Sequence, residues 1–280
     1  MNLSDDQLRL KSLRYRLQML ELVHNAGAGH TGGGLSCIDI LNVLYNRVLR
    51  VSPETFGDAS RDRYVQSKGH AVEALYVVLA DRGFFPASDL DTVCHYQSDY
   101  VGHPTRKIPG IEQNTGGLGH GLPICVGMAL ANRMDGNGAR VFTLLGDGEI
   151  AEGSNWEAAM AGAHYHLDNL WAVVDCNGLQ ISGTTAQVMN SEPLDEKFRA
   201  FGWGVKVVDG HDIAALTAAL STPAEAGKPT AVIARTIKGK GVSFMENVAK
   251  WHHGVPTEAE LAQARAELGA AIAACEGGAK

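Results

Sequence analysis

The chain has 280 residues, 45% of them hydrophobic, enough to build a substantial core without staples. A formal net charge of -7 and the lack of any basic run exclude a general nucleic-acid binder, which would gather Lys and Arg against phosphates. Five scattered cysteines with no CxxC pair exclude a disulfide framework and a thiolate zinc site; no stretch reads as a membrane span or export signal, so a cytoplasmic protein with reduced thiols is expected.

Leu10, Leu13, Leu17 and Leu20 recur at helical spacing behind a Ser-Asp-Asp start, which predicts a capped amphipathic helix running to about Asn25 and broken by GAGHTGGG. Alternation follows: helix 38–50, strand 63–66, helix 70–82, helix 88–95, a loop to 116, helix 118–133, strand 140–145 and helix 152–166. Strand 169–175, helix 193–201, strand 204–208, helix 212–220, strand 230–236 and helix 257–274 complete the series. Apolar β-rich runs separated by helices, without hairpin signals, predict an α/β fold. One three-layer domain is expected over residues 1–280, a mainly parallel sheet with helices on both faces, and residues 275–280 read as a flexible tail.

Ligands of such a sheet bind beyond the carboxyl ends of strands, where loops lead into helix N-termini. Gly146-Asp147-Gly148 sits at such an end, just before a helix starting near Glu152. Free amides at that start suit a phosphate, and the glycines let the backbone approach it. An aspartate beside a phosphate repels it unless a cation lies between, so Asp147 implies a divalent metal. The next strand ends at Asp175-Cys176-Asn177-Gly178-Leu179, one crossover later, and neighbouring parallel strands would bring Asp147 and Asn177 together on one hard cation. Read singly, each segment is an ordinary turn; their pairing at crossover spacing favours the metal reading.

GDGEIAEGSNWEAA with DCNGLQISG resembles the thiamine diphosphate motif of transketolases. GHTGGGLS, SKGHA, GHP, TGGLGHG, VDGHD and GKGVSFMEN...WHHG follow in the family's order over nearly the whole chain. The resemblance implies a thiamine diphosphate-binding fold in which Asp147, Asn177 and the Leu179 carbonyl hold Mg²⁺, for which Ca²⁺ or Mn²⁺ can substitute. Gly116, Leu118, Gly146, Gly148 and Glu149 would surround the cofactor.

The chain has 11 histidines, and a lone histidine is usually a satisfied surface or core residue. His30, His70, His103, His120 and the pair His252-His253 stand out because they sit on glycine-rich breaks, where loops assemble sites. The resemblance implies that His30, His70, His103 and one of the last pair surround the cofactor. His253 is favoured because the family's histidine directly precedes glycine. His103 would orient donor hydroxyls, His30 and His253 would shuttle protons, and His70 would contact diphosphate. Glu152 and Glu157 read either as solvated helix carboxylates or, by the resemblance, as a carboxylate relay at a subunit boundary.

Three other patterns carry less. Gly27-Ala28-Gly29-His30-Thr31-Gly32 matches GxGxxG but follows a helix rather than a strand, and IKGKG lacks the spacing and Ser/Thr of a P-loop. His164 and His166, two apart on an expected helix, favour packing over zinc.

A transketolase takes its pyrimidine-side glutamate and apolar ring pocket from a domain that would follow residue 280. An obligate C-terminal transketolase partner subunit is therefore expected, giving a split enzyme, as an α2β2 heterotetramer, that moves a two-carbon ketol unit between sugar phosphates. His120 stands where many relatives carry glutamine and Glu73 where small residues or proline are frequent, and both put the substrate channel in question. The α subunit of a 2-oxo acid dehydrogenase, which shares the metal motif, and a non-catalytic cofactor-binding protein are the alternatives.

Overall fold

Helix α1, Asp5–Ala26, opens the computed structural model, which describes residues 3–277. Its start is a capping box: Ser4 Oγ accepts from Gln7 N at 3.2 Å and Gln7 Oε1 accepts from Ser4 N at 2.8 Å. It ends on Gly27 in the left-handed region, φ 65°.

The next helix departs from expectation. Helix α2 spans Thr31–Val43, continued by a π-helical turn over Leu44–Val48, so Gly32, Gly33 and Gly34 lie inside a helix instead of breaking the chain. Glycine costs a helix about 1 kcal/mol against alanine. Here it permits contacts that a side chain forbids: a Cβ on Gly34 would stand 2.6 Å from Met19 Sδ, and one on Gly32 would stand 2.8 Å from the Trp251 carbonyl oxygen. Tertiary packing overrides local propensity.

Strands β1 (Arg63–Gln66), β2 (Val141–Gly146), β3 (Leu170–Cys176), β4 (Gly204–Asp209) and β5 (Thr230–Arg235) form one parallel sheet in the order β1-β2-β3-β5-β4. Every residue of β2 and β3 is buried, which is why both read as unbroken apolar runs. The register places Gly146 opposite Asp175, so GDG and DCN emerge side by side.

Helices α3 (Val72–Asp81), α4 (Gly121–Met134), α5 (Gly153–His164), α6 (Thr185–Val188), α7 (Leu194–Ala200), α8 (Ile213–Ser221) and α9 (Glu258–Gly277) complete the chain. The pleat sends Phe142, Leu144, Trp171 and Val173 to one face, against α1, α2, α3 and α8; Val141, Leu145, Ala172 and Val174 meet α4, α5 and α7 on the other. The expected α/β sheet with helices on both faces is what forms. Leu261, Ala264 and Leu268 seal α9 onto the first core. Cys275, Glu276 and Gly277, expected in a tail, continue α9, and the remaining tail positions lie outside the described residues. The helix expected over 88–95 is a 3₁₀ turn over Ala87–Thr92, and α5 ends at His164.

Candidate active site

The carboxyl ends of β1, β2, β3 and β5 open on a cavity of about 260 Å³, with His30, Lys68, His70, His103, Asp147, Asn177, Lys238 and His252 in its wall. Gly116, Leu118, Gly146, Gly148, Glu149 and Leu179 also line it.

Asp147 is buried, its Oδ1 accepting from Gly148 N at 2.9 Å and its Oδ2 from Gly178 N at 2.6 Å. Burial, then the nearby Asp175 charge, pushes its carboxyl up to about 6 against those two N–H groups. Asn177 donates Nδ2 to Asp175 Oδ2 at 3.3 Å, which settles which end of its amide is oxygen. Asp175 is itself fixed by Ser36 Oγ at 2.6 Å, by Thr236 and by the buried Lys68 ammonium. Among the described residues no group of three His, Cys, Asp or Glu side chains can hold a metal. A cation beside Asp147 would therefore take one carboxylate, one amide oxygen and the Leu179 carbonyl, and need phosphate oxygens and water for the rest. That all-oxygen set fits Mg²⁺.

Positive charge comes from two lysines that the sequence did not single out. Lys68 is 1% exposed and donates to the Gly33 carbonyl at 2.9 Å. Lys238 is 2% exposed, with Nζ 3.2 Å from the Leu179 carbonyl oxygen and 2.8 Å from His252 Nδ1. Burial, then the Lys68 charge, lowers its ammonium to about 8. IKGKG is no P-loop, yet it delivers this lysine.

Four histidines gather around His30, whose ring lies 4.6 Å from His253, 5.2 Å from His70, 5.5 Å from His252 and 6.1 Å from His103 between centroids. Burial, then the neighbouring rings and lysines, lowers His30 to about 4; His252 falls to about 3 by burial and Lys238; His70 and His103 also fall. These imidazoles are neutral at pH 7, and so able to accept a proton or a hydrogen bond. His252 is in the cavity wall and stacks on His70, 5.4 Å apart, whereas His253 is exposed and meets His30 edge-on. Position favours His252 over the expected His253. An isolated bridge between His30 and Gly254, with Thr31 Oγ1 donating to the Gly254 carbonyl at 2.5 Å, ties this segment to the start of α2.

Glu149 supports the frame: Oε2 accepts from Gly146 N at 3.0 Å, and Oε1 accepts from Gly119 N at 2.9 Å and from Ser67 Oγ. Gly116 admits a ring, since a Cβ there would stand 2.8 Å from His103 Cδ2. Glu152 and Glu157 are both exposed on the outside of the molecule and not in the cavity wall. His120 is exposed too, as are His164 and His166, so the packing expected for that last pair does not occur. Glu73 lies beneath the loop, buried, with neither carboxyl oxygen partnered and Oε1 3.1 Å from where a Gly29 Cβ would be.

Residues 9–274 match the family model for the transketolase thiamine diphosphate binding domain. The chain belongs to the transketolase family. It is 48% identical over 264 residues to one of the separate subunits of the apulose-4-phosphate transketolase of Phocaeicola vulgatus, covering 94% of each chain. It is 43% identical to a 6-deoxy-6-sulfo-D-fructose transketolase subunit from a Clostridium species, covering 89% of this chain and 91% of that one. The solved transketolase of Campylobacter jejuni superposes with a TM-score of 0.88 at 32% identity, covering 96% of this chain but 43% of that one. Transketolases are transferases, and in length this member of the family corresponds to the separate subunits rather than to the solved enzyme, of which it spans about two fifths.

Proposed function

We propose that this chain is the N-terminal subunit of a split transketolase, binding thiamine diphosphate through Mg²⁺ and moving a two-carbon ketol unit from a ketose phosphate to an aldose acceptor. A C-terminal partner subunit supplies the pyrimidine side, in a cytosolic α2β2 assembly. The observation that carries the reading is the convergence of Asp147 and Asn177, from adjacent strand ends, on a cavity walled by neutral histidines. Five free cysteines fit a reducing compartment, and no helix among the described residues is long and apolar enough to cross a membrane.

Asp147, Asn177 and the Leu179 carbonyl would hold the cation and Lys238 would offset the diphosphate charge, with Gly148, whose N–H donates to Asp147 Oδ1, lining the site. When bound, thiamine diphosphate would supply the carbanion nucleophile that ketol transfer needs. His103, at the exposed side of the cavity, hydrogen-bonds donor hydroxyls. His30 and His252 take and return the hydroxyl proton as the carbon–carbon bond breaks, a role their neutral rings allow. His70 borders the diphosphate. Glu152 and Glu157, being exposed, are available to a second subunit, as a relay would require.

The test is reconstitution with the partner subunit, thiamine diphosphate and Mg²⁺, following two-carbon transfer from a ketose phosphate to an aldose phosphate. Transfer that disappears in Asp147→Ala supports the proposal. Decarboxylation of a 2-oxo acid without sugar transfer would replace it with the dehydrogenase alternative, and turnover untouched by Asp147→Ala would leave the chain no catalytic part.

A further inference from the structure

The VDGHD segment, Val208–Asp212, lies outside the cavity, and three of its polar or glycine positions have local tasks. Asp209 Oδ1 accepts from His211 N at 2.8 Å, and Asp212 caps α8 by accepting from Ala214 N at 2.9 Å and Ala215 N at 3.1 Å. Gly210 presses the turn onto the end of β5: its N–H donates to the Arg235 carbonyl at 2.7 Å, and a Cβ would stand 2.4 Å from Thr236 Cγ2. The side chain of His211 has no such local partner.

Its contacts are remote. His211 Nε2 accepts from the Ile237 backbone N–H at 2.9 Å, and a backbone N–H can only donate, so the ring proton is on Nδ1, which donates to Asp39 Oδ2 at 2.7 Å. Asp39 also receives the Arg16 fork, at 3.2 Å and 2.5 Å, and Arg16 Nε donates to the Lys240 carbonyl at 3.1 Å. Arg16 and Asp39 are each 4% exposed. One buried triad, drawn from α1, α2 and the β4–α8 turn, thus grips residues 237–240 at both ends. Between the two grips stands Lys238, whose ammonium reaches the Leu179 carbonyl and His252. The middle of the loop is pinned as well, Gly239 N donating to the Gly32 carbonyl at 3.0 Å and Asn247 N to the Lys238 carbonyl at 2.9 Å.

We infer that His211, backed by Asp39 and Arg16, is a positioning residue for Lys238, setting where that ammonium meets the cofactor diphosphate. The inference rests on the proposed cofactor site. Nothing in the triad lines the cavity, so His211 acts only through the main chain of Ile237 and the side chain that follows it.

Two substitutions separate the two ring nitrogens. His211→Asn keeps a donor for Asp39 near the place of Nδ1 but offers Ile237 N–H no acceptor; His211→Gln reaches the place of Nε2 with an oxygen that accepts from Ile237. Calorimetry of thiamine diphosphate with Mg²⁺, on the full chain assembled with its partner subunit, should show affinity about tenfold weaker in His211→Asn and within about twofold of wild type in His211→Gln. The His211→Asn penalty should vanish in a Lys238→Met background, because the two residues then act on one contact. Amide exchange over 237–240, measured without cofactor, should quicken in His211→Asn alone. Penalties that multiply in the double variant, or faster exchange with unchanged cofactor affinity, would reduce His211 to a structural staple and overturn the inference. A wild-type complex that binds no thiamine diphosphate overturns the cofactor reading instead, and exchange over 237–240 then still decides whether His211 holds the loop.

Discussion

Lys68 and Asp175 form an ion pair with side chains 1% and 0% exposed, at the point where the ends of β1, β3 and β5 meet α2. The Lys68 charge holds Asp175 below the usual carboxylate range although burial works against it, so both partners stay charged. Asp175 in turn orients Asn177, and the pair therefore links fold stability to the amide proposed to bind the cation.

Lys68→Met strands the Asp175 charge in the interior. Urea unfolding should show a loss of about 3–5 kcal/mol, the cost of leaving one partner of a buried pair alone. A loss under 1 kcal/mol would mean that water reaches Asp175.

Asp147→Asn removes the one carboxylate from the proposed cation set. Titration with thiamine diphosphate in Mg²⁺ should show affinity roughly tenfold or more below wild type, with the melting temperature little changed. Equal affinity would place the cation elsewhere.

On the proposed reading, in which His103 at the exposed edge of the cavity meets the donor, His103→Ala should leave cofactor affinity intact and reduce kcat by about 100-fold. Steady-state transfer kinetics beside cofactor calorimetry would check the split; parallel losses in both would assign His103 to cofactor binding.

Glu73 has its carboxyl pushed up to about 8 by burial, from an ordinary value of 4.5. The proton is held more tightly in the folded state, so the stability this group contributes is complete below about pH 4.5 and is lost as pH rises through 8. Glu73→Gln should consequently match wild type in thermal melts near pH 5 and exceed it near pH 9. Parallel melting curves across that range would show that Glu73 ionises at its ordinary value.

Local signals were legible wherever the physics is local. The Ser4 capping box, the unbroken apolar runs of β2 and β3 and the turn residues after them report on neighbours a few positions away, so the first helix, the parallel sheet and the side-by-side exits of GDG and DCN could be read in advance. His30, His70 and His103 stood out because glycines flank them.

What the chain alone left open depends on groups far apart in sequence. Gly32, Gly33 and Gly34 look like a break and form a helix, because Met19 and Trp251 leave no room for a Cβ there. Lys238 hides in a pattern rejected as a P-loop, and it reaches the cavity on a loop held by remote partners, Arg16 and His211 among them. Spacing to glycine points to His253, yet the folded segment puts His252 in the cavity wall and leaves His253 exposed, next to the Gly254 bridge to His30. Sequence fixes which hydrogen bonds and apolar faces are available within a few turns, whereas burial and long-range pairing choose among them, and only the folded chain expresses that choice.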